Sequence, residues 1–326
     1  DVTVFVNNIP VTPNAERVLR AGESERFTRS IEVDLFDRNN SIRAEAFDGR
    51  AMGVAETFVS APGTTTLKPQ AGKLFVLAVG VNQFADLPSF NLDFAAGDAE
   101  GFAKTMRSAG KSHFKEVVTQ VITDNTALKP KKETIVQALE FVKQSQPEDT
   151  VIVFLASHGM SDASGNYYFI PHDAKKKDQL TIDSGSGKVD SLISWATFFD
   201  ALRGATGRRI LIVDTCQARG IEGKLETHSL MKRSASSLFS MIMSSKGDEQ
   251  SQEYPPGNHG LFTYSLLNAL QAGSDANRDG AVSVNELFTL GKPIMEKLRD
   301  KGIGPQTPQL IAPAPLGDTP LMRVAP

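Results

Sequence analysis

The sequence predicts an α/β protein, with a mainly parallel sheet covered by helices on both faces and a small all-β region in front of it. Three observations predict this architecture. Near-continuous apolar runs recur at 74–79, 117–122, 151–156 and 210–214, the texture of strands buried on both faces. Stretches of helical periodicity separate them, at 93–109, 132–146 and 195–203, so strand and helix alternate along the chain. The first 60 residues show instead the two-residue alternation of half-buried strands.

In that first region Val2, Val4 and Val6 alternate with polar residues, as do Ile31, Val33 and Leu35. Two further runs, 41–47 and 54–59, are bracketed by turn signals at Asn39-Asn40 and Asp48-Gly49. The closing pattern resembles the last hairpin of bacterial immunoglobulin-like domains. Four strands do not complete a seven-stranded sandwich, so 1–60 is expected to be a partial domain. Ala61-Pro62-Gly63-Thr64-Thr65-Thr66 begins a linker over 61–72, and 73–326 forms the larger domain.

Composition removes several functions. The chain has 326 residues, 40% hydrophobic and 22% charged, too apolar for disorder and too long for one average domain. A formal charge of -3, from 35 basic and 38 acidic residues, lacks the basic excess of a nucleic-acid binder. No apolar run approaches the roughly 20 residues that span a bilayer. A single cysteine rules out an intrachain disulfide and a thiolate-cluster metal site. The chain starts at Asp1, which reads as a processed or excised product, with a cytoplasmic location slightly favoured over export.

Two apolar strands end in reactive side chains. One run leads into Ser157-His158-Gly159, and the other into Asp214-Thr215-Cys216-Gln217-Ala218-Arg219-Gly220. A cysteine is a strong nucleophile as its thiolate, and a nearby histidine can take its proton. Glycines beside them let a substrate backbone come close and leave amides free for an oxyanion. In a parallel sheet, strand ends are where sites form, so His158 and Cys216 are expected to act as a dyad.

These motifs resemble those of the caspase-like cysteine peptidases, specifically prokaryotic caspase homologues close to metacaspases. The similarity runs from about 73 to 312 through KLFVLAVGVNQF, LDFAAGDAEGFAKTM, FLASHGM, LIVDTCQARG and NHGLFTYSLLNAL. It implies that Cys216 attacks a peptide carbonyl, that His158 protonates the leaving amine, and that the amides of Gly159 and Cys216 form the oxyanion hole. One departure is the stretch 217–220, where metacaspases usually have His-Ser-Gly after the cysteine. The resemblance also implies a pocket lined by two aspartates, Asp98 in an Asp-Ala pair and Asp214 two positions before Cys216. At an effective dielectric of about 20, a carboxylate about 4 Å from a guanidinium gains on the order of 4 kcal/mol before desolvation. The expected partners are therefore protein or peptide substrates with Arg or Lys before the cleaved bond, together with an upstream activator, and not nucleic acid. A catalytically quiet homologue serving as a binding or scaffold module is the alternative.

Residues 275–286 carry a second, separate motif. Asp275, Asn277, Asp279, the carbonyl of Ala281, Ser283 and Glu286 fall at the ligand positions of a calcium loop, with Gly280 at its turn. Helical runs flank it at 262–271 and 286–297. Calcium is thus the expected metal, and no organic cofactor is expected. Between 217 and 259 the chain is long and polar apart from a buried strand at 237–244. Lys224, Lys232-Arg233 and Lys246 there, and Lys175-Lys176-Lys177 earlier, are candidate self-cleavage sites of a zymogen. His113, His172, His228 and His259 lack ligand-like spacing and read as ordinary loop histidines, although His259 lies in Asn258-His259-Gly260, a stretch typical of the resembled family that suits a structural role, and Trp195 reads as core.

Overall fold

A computed structural model describes residues 2–6, 9–10, 30–33, 35, 39–47, 52–60, 72–162, 166–184, 189–216, 239–245, 249–273, 275–299, 303, 305–312 and 316–324. Strands β1 (Val2–Val6), β2 (Ile9–Pro10), β3 (Asn39–Phe47) and β4 (Met52–Ser60) form an antiparallel sheet in the order β2-β1-β3-β4. The register of β3 and β4 is continuous from Asn39↔Ser60 to Phe47↔Met52.

Two expectations fail in this region. Asn39-Asn40 is not a turn but the start of β3, because the ladder with β4 extends that far. Residues 31–33 and 35 are not in a strand. Their alternation suits an extended chain, but none of the pairings among β1–β4 includes them. The Asp48-Gly49 turn signal and the linker up to residue 71 lie outside the described residues.

The larger region opens with β5 (Lys73–Gly80), α1 (Ala95–Ala109), β6 (Glu116–Ile122) and α2 (Lys132–Val142). Next come β7 (Thr150–Ser161), β8 (Tyr167–Phe169), α3 (Lys176–Ser184), β9 (Ile193–Ser194) and α4 (Trp195–Gly204). After β10 (Arg208–Cys216) and β11 (Phe239–Met243) lie β12 (Glu253–Tyr254), β13 (His259–Gly260) and α5 (Leu261–Ala272). Finally β14 (Ala281–Ser283), α6 (Val284–Arg299), β15 (Gln309–Ile311) and β16 (Pro320–Arg323) complete the fold.

The main sheet runs β15-β11-β10-β7-β5-β6, parallel except at β15. Because β6 lies on one side of β5 and β7 on the other, strand order reverses there, which opens a crevice at the carboxyl ends. Period-two alternation sorts the side chains. Leu74, Val76, Ile152, Phe154, Ile210 and Ile212 join the cluster that holds α1, α5 and α6. Phe75, Leu77, Val151, Val153, Leu211 and Val213 join the cluster that holds α2 and α4. Both faces are covered, as the apolar runs require.

Helix α1 buries Ala95, Ala99, Phe102, Ala103 and Met106 along one stripe. Phe102 stacks on Phe154 of β7 with centroids 4.6 Å apart. The start of α1 lies against the end of β5, where a Cβ on Gly80 would sit 2.2 Å from the Ala95 carbonyl oxygen. That close approach sets where Asp98, in the first turn, is delivered. Lys176 and Lys177, expected as a polar cleavage stretch, are in α3; the buried Asp178 there accepts hydrogen bonds from the amides of Asp190 and Ser191. Lys175, the first of the three lysines, precedes the helix and donates its amide to the Ser191 hydroxyl at 2.8 Å.

Gly80→Ala should therefore destabilise the protein by about 1–3 kcal/mol through overpacking. Gly97→Ala, whose Cβ would meet nothing within 4 Å, should stabilise it by about 0.5–1 kcal/mol through helix propensity. Urea unfolding of both variants checks the pair, and equal midpoints would contradict the packing described.

Candidate active site

Strand β7 runs past its apolar segment because its outer end pairs antiparallel with β8, Gly159 opposite Phe169. On its other side it pairs parallel with β10 over nine residues, ending with Ser157↔Thr215 and His158↔Cys216. Two residues far apart in sequence thus become neighbours on adjacent strands, roughly 4.8 Å apart.

The His158 ring lies against Phe84 and Phe90, each with a centroid 5.4 Å away. Its Nε2 donates to the Phe90 carbonyl over 2.7 Å. Since a carbonyl only accepts, Nε2 carries the proton, and in the neutral ring the lone pair is on Nδ1. Burial holds the pKa of His158 below its ordinary value, against the opposing pull of the Phe90 carbonyl and Glu253. The ring is therefore a neutral base at physiological pH.

The loop that carries Phe84 and Phe90 is itself tied down. Asp124 accepts the amides of Asn82 and Gln83 at 2.5 and 3.3 Å, and Asn91 Oδ1 accepts the Phe84 amide at 3.0 Å. His172 Nδ1 donates to the Gln83 carbonyl at 2.6 Å. Phe90 and Asp124 were not legible as site residues, because a backbone carbonyl leaves no trace in residue type. His172, read as an ordinary loop histidine, fastens this loop.

A Cβ on Gly159 would lie 1.7 Å from the Tyr167 hydroxyl oxygen. The missing side chain lets Tyr167 reach across to the Thr215 hydroxyl at 2.5 Å, next to Cys216. Packing alone thus calls for glycine at this position.

Asp214 lies on the same sheet face as Ile210 and Ile212, the face that α1 and α5 cover. Asp98 reaches the same place from α1. Only 3% and 7% exposed, the two carboxylates flank Gly260, where a Cβ would be 2.9 Å from Asp98 Oδ2 and 3.2 Å from Asp214 Oδ2. Asp214 accepts the hydroxyls of Ser251 and Thr263, both at 2.6 Å. Asp98 accepts the Gly260 amide at 3.1 Å on each oxygen and the His259 Nδ1–H at 2.7 Å. His259 is thus no ordinary loop histidine; its typical NHG setting was the only hint in the sequence.

Burial pushes Asp98 up to about 7, helped by the charge of Asp214 and opposed by the His259 hydrogen bond. Burial raises Asp214 as well, against the hydroxyls of Ser251 and Thr263. Beside the pair, Leu92, Phe94, Ser157, Gln252 and Glu253 line a cavity of about 40 Å³, room for no more than a water or two.

The loop after α5 is a separate site. Asp275, Asp279 and Glu286 bring carboxylate oxygens within 4.8 Å of one another. Gly280, at φ +89°, makes the sharp turn and donates its amide to Asp275 Oδ2 at 2.6 Å. Asn277 Oδ1 accepts the Asp279 amide at 2.9 Å. Ser283 and Glu286 exchange hydrogen bonds, amide to carboxylate at 2.9 Å and amide to hydroxyl at 3.2 Å, a capping box that starts α6. Strand β14, which includes Ala281, pairs antiparallel with β16. The oxygen-only donor set suits a hard cation such as calcium. Among the described residues, no helix is long and apolar enough to cross a membrane. Lys224, Lys232-Arg233, Lys246 and His228 lie outside the described residues, as does the side chain of Cys216. His113, in the turn that follows α1, is buried against Phe114, with burial lowering its pKa to about 3.

Residues 73–315 match the family model of the caspase domain. No curated protein matches the chain. A crystal structure of a protein from Geobacter sulfurreducens aligns with a TM-score of 0.50 at 14% identity, over 78% of this chain and 100% of that one. Caspase-1 from Spodoptera frugiperda aligns with a TM-score of 0.42 at 12% identity, over 75% of this chain and 88% of that one. Its pro-form gives 0.43 at 11% identity, over 74% and 92%.

Replacing Asp214 with Asn removes a negative neighbour and so favours the charged form of Asp98. Its titration midpoint, about 7 in the native chain, should fall, as followed by carboxyl carbon NMR. A midpoint that stays put would mean that the two carboxylates do not share this pocket.

Proposed function

The chain belongs to the caspase family, a family of cysteine peptidases, through the domain at 73–315, and on that premise we propose that it is an endopeptidase cutting after arginine or lysine. The observation that carries the reading is the pairing of His158 with Cys216 beside a crevice that holds two buried aspartates. In this reading His158 Nδ1 takes the thiol proton and the Cys216 thiolate adds to the scissile carbonyl. The amides of Gly159 and Cys216 hold the oxyanion. As the tetrahedral adduct collapses, His158 returns the proton to the leaving amine and an acyl-enzyme thioester remains, which water then hydrolyses.

Preference for a basic residue follows from charge. Asp98 and Asp214 lie at the base of the crevice and Glu253 lines it, with no compensating lysine or arginine among the described lining residues. The cavity of about 40 Å³ is smaller than an arginine side chain, so the segment bearing Ser251 and Glu253 must withdraw to admit one. That need fits a zymogen opened by self-cleavage or by an upstream activator, with Lys224, Lys232-Arg233 and Lys246 as the candidate cuts. The division into a β-rich region at 1–60, a linker at 61–72 and a peptidase domain at 73–326 belongs to the same proposal.

Calcium is the second element of this reading. Asp275, Asn277, Asp279, the Ala281 carbonyl, Ser283 and Glu286 would hold it, where it would neutralise three clustered carboxylates. When bound it supplies positive charge, and it lies outside the peptide-cleaving steps.

A positional peptide library tests the specificity, with Cys216→Ala as the inactive control. The expected result is a preference for Arg or Lys over Asp of at least about 100-fold in kcat/KM, as two buried carboxylates imply. Turnover after Asp would overturn it. Calorimetry with calcium tests the loop: binding heat should appear with the native chain and vanish in Glu286→Ala. Heat that survives the substitution would move the metal elsewhere.

A further inference from the structure

We propose that His259 is a specificity-determining residue of the basic-side-chain pocket, positioning Asp98 by holding one of its carboxylate oxygens so that the other meets the incoming cation. The proposal rests on the arginine and lysine reading above.

Three features place this imidazole. It lies on β13, whose pairing with β12 sets Tyr254 opposite His259 and Glu253 opposite Gly260. Its ring lies over α1 at Gly101, where a Cβ would be 2.9 Å from His259 Cε1. Gly101 is three residues after Asp98, on the same face of the helix, so the missing side chain makes room for the ring beside the carboxylate it contacts. The Nδ1 then donates to Asp98 Oδ1 at 2.7 Å, while the imidazole keeps 22% of its side-chain surface exposed and Asp98 only 4%.

The hydrogen bonds on Asp98 are uneven. Oδ1 takes His259 and the Gly260 amide, whereas Oδ2 takes that amide alone, at 3.1 Å. The lightly used Oδ2 faces the same point beside Gly260 as Asp214 Oδ2. Two carboxylate oxygens converging on one position suit a guanidinium fork or an ammonium. Without the imidazole, Asp98 would keep only the Gly260 amide against the charge of Asp214 and against burial, and both favour the neutral acid. A neutral Asp98 would leave the substrate cation one carboxylate where it otherwise meets two. The titratable groups that face Asp98 are His259 on β13 and Asp214 on β10, and Glu253 on β12 lines the same pocket.

The test uses the full chain and two variants, His259→Phe, which removes the donor, and His259→Asn, which keeps an N–H near the Nδ1 position. Matched peptides carry arginine or its uncharged isostere citrulline before the cleaved bond. Alkylation of Cys216 by iodoacetamide reports whether the fold and the nucleophile are intact. His259→Phe should reduce the arginine-to-citrulline ratio in kcat/KM at least about tenfold, mainly through KM, as loss of one charge-assisted contact implies. It should also shift the acid limb for the arginyl peptide to higher pH, because Asp98 loses the hydrogen bond that lowers its pKa. His259→Asn should restore the ratio. An unchanged ratio and acid limb in His259→Phe would overturn the proposal, and so would an equal loss on both peptides together with slower alkylation. If the native enzyme cuts no arginyl or lysyl peptide, the specificity reading itself falls. The Asp98 midpoint in carboxyl NMR still judges the contact, which fails if His259→Phe leaves that midpoint unmoved.

Discussion

The parallel pairing of β7 with β10 is the constraint on which the rest depends. Its register puts His158 beside Cys216, and it also sends Asp214 to the face that α1 and α5 cover. A slip of one residue would turn Asp214 to the opposite face and part the dyad. Fully buried Ile, Val, Leu and Phe along both strands pack against the helices on the two faces and hold the strands in place. The hydrophobic core thus does more than stabilise the fold, because it indexes the chemistry.

The pocket shows the opposite economy. Two carboxylates are kept from water within a few ångströms of each other, an arrangement that opposes folding unless each is well hydrogen-bonded. Hydroxyls serve Asp214, while an amide and an imidazole serve Asp98. The difference is chemical. Two hydroxyls solvate Asp214, whereas the charged form of Asp98 is favoured by a single imidazole hydrogen bond, so the state of Asp98 depends on that one neighbour. Sites kept at such a cost to folding are typical of binding and catalysis.

Much of this was legible in the sequence, for reasons that particular residues make plain. The strands at 74–79, 117–122, 151–156 and 210–214 showed because a doubly covered sheet demands unbroken apolar runs. His158 and Cys216 stood out because reactive side chains at strand ends are few, whereas Asp98 and Asp214 were legible as pocket residues only through the family resemblance. What stayed hidden has no residue signature. The carbonyl of Phe90 could belong to any amino acid, and Asp124 acts only through the loop it fastens. His259 depends on a cleft between α1 and β13 that closes only in the folded chain. In the N-terminal sheet, alternation marked 31–35 as a strand, but alternation cannot say whether a partner edge is open. Asn39-Asn40 failed in the converse way, as turn-forming residues absorbed into a long ladder.

The glycine after His158 illustrates how structure limits genetic inference. Because Tyr167 occupies the space that a side chain at 159 would need, on its way to Thr215, even alanine there would push a tyrosine off the strand that carries Cys216. An inactive variant at this position would thus look like a lost oxyanion donor while reporting only displaced packing. Alanine scanning has no power to separate the two. Only a change that alters the amide and leaves the side chain alone, such as an ester in place of the peptide bond, could test the oxyanion role proposed for that donor.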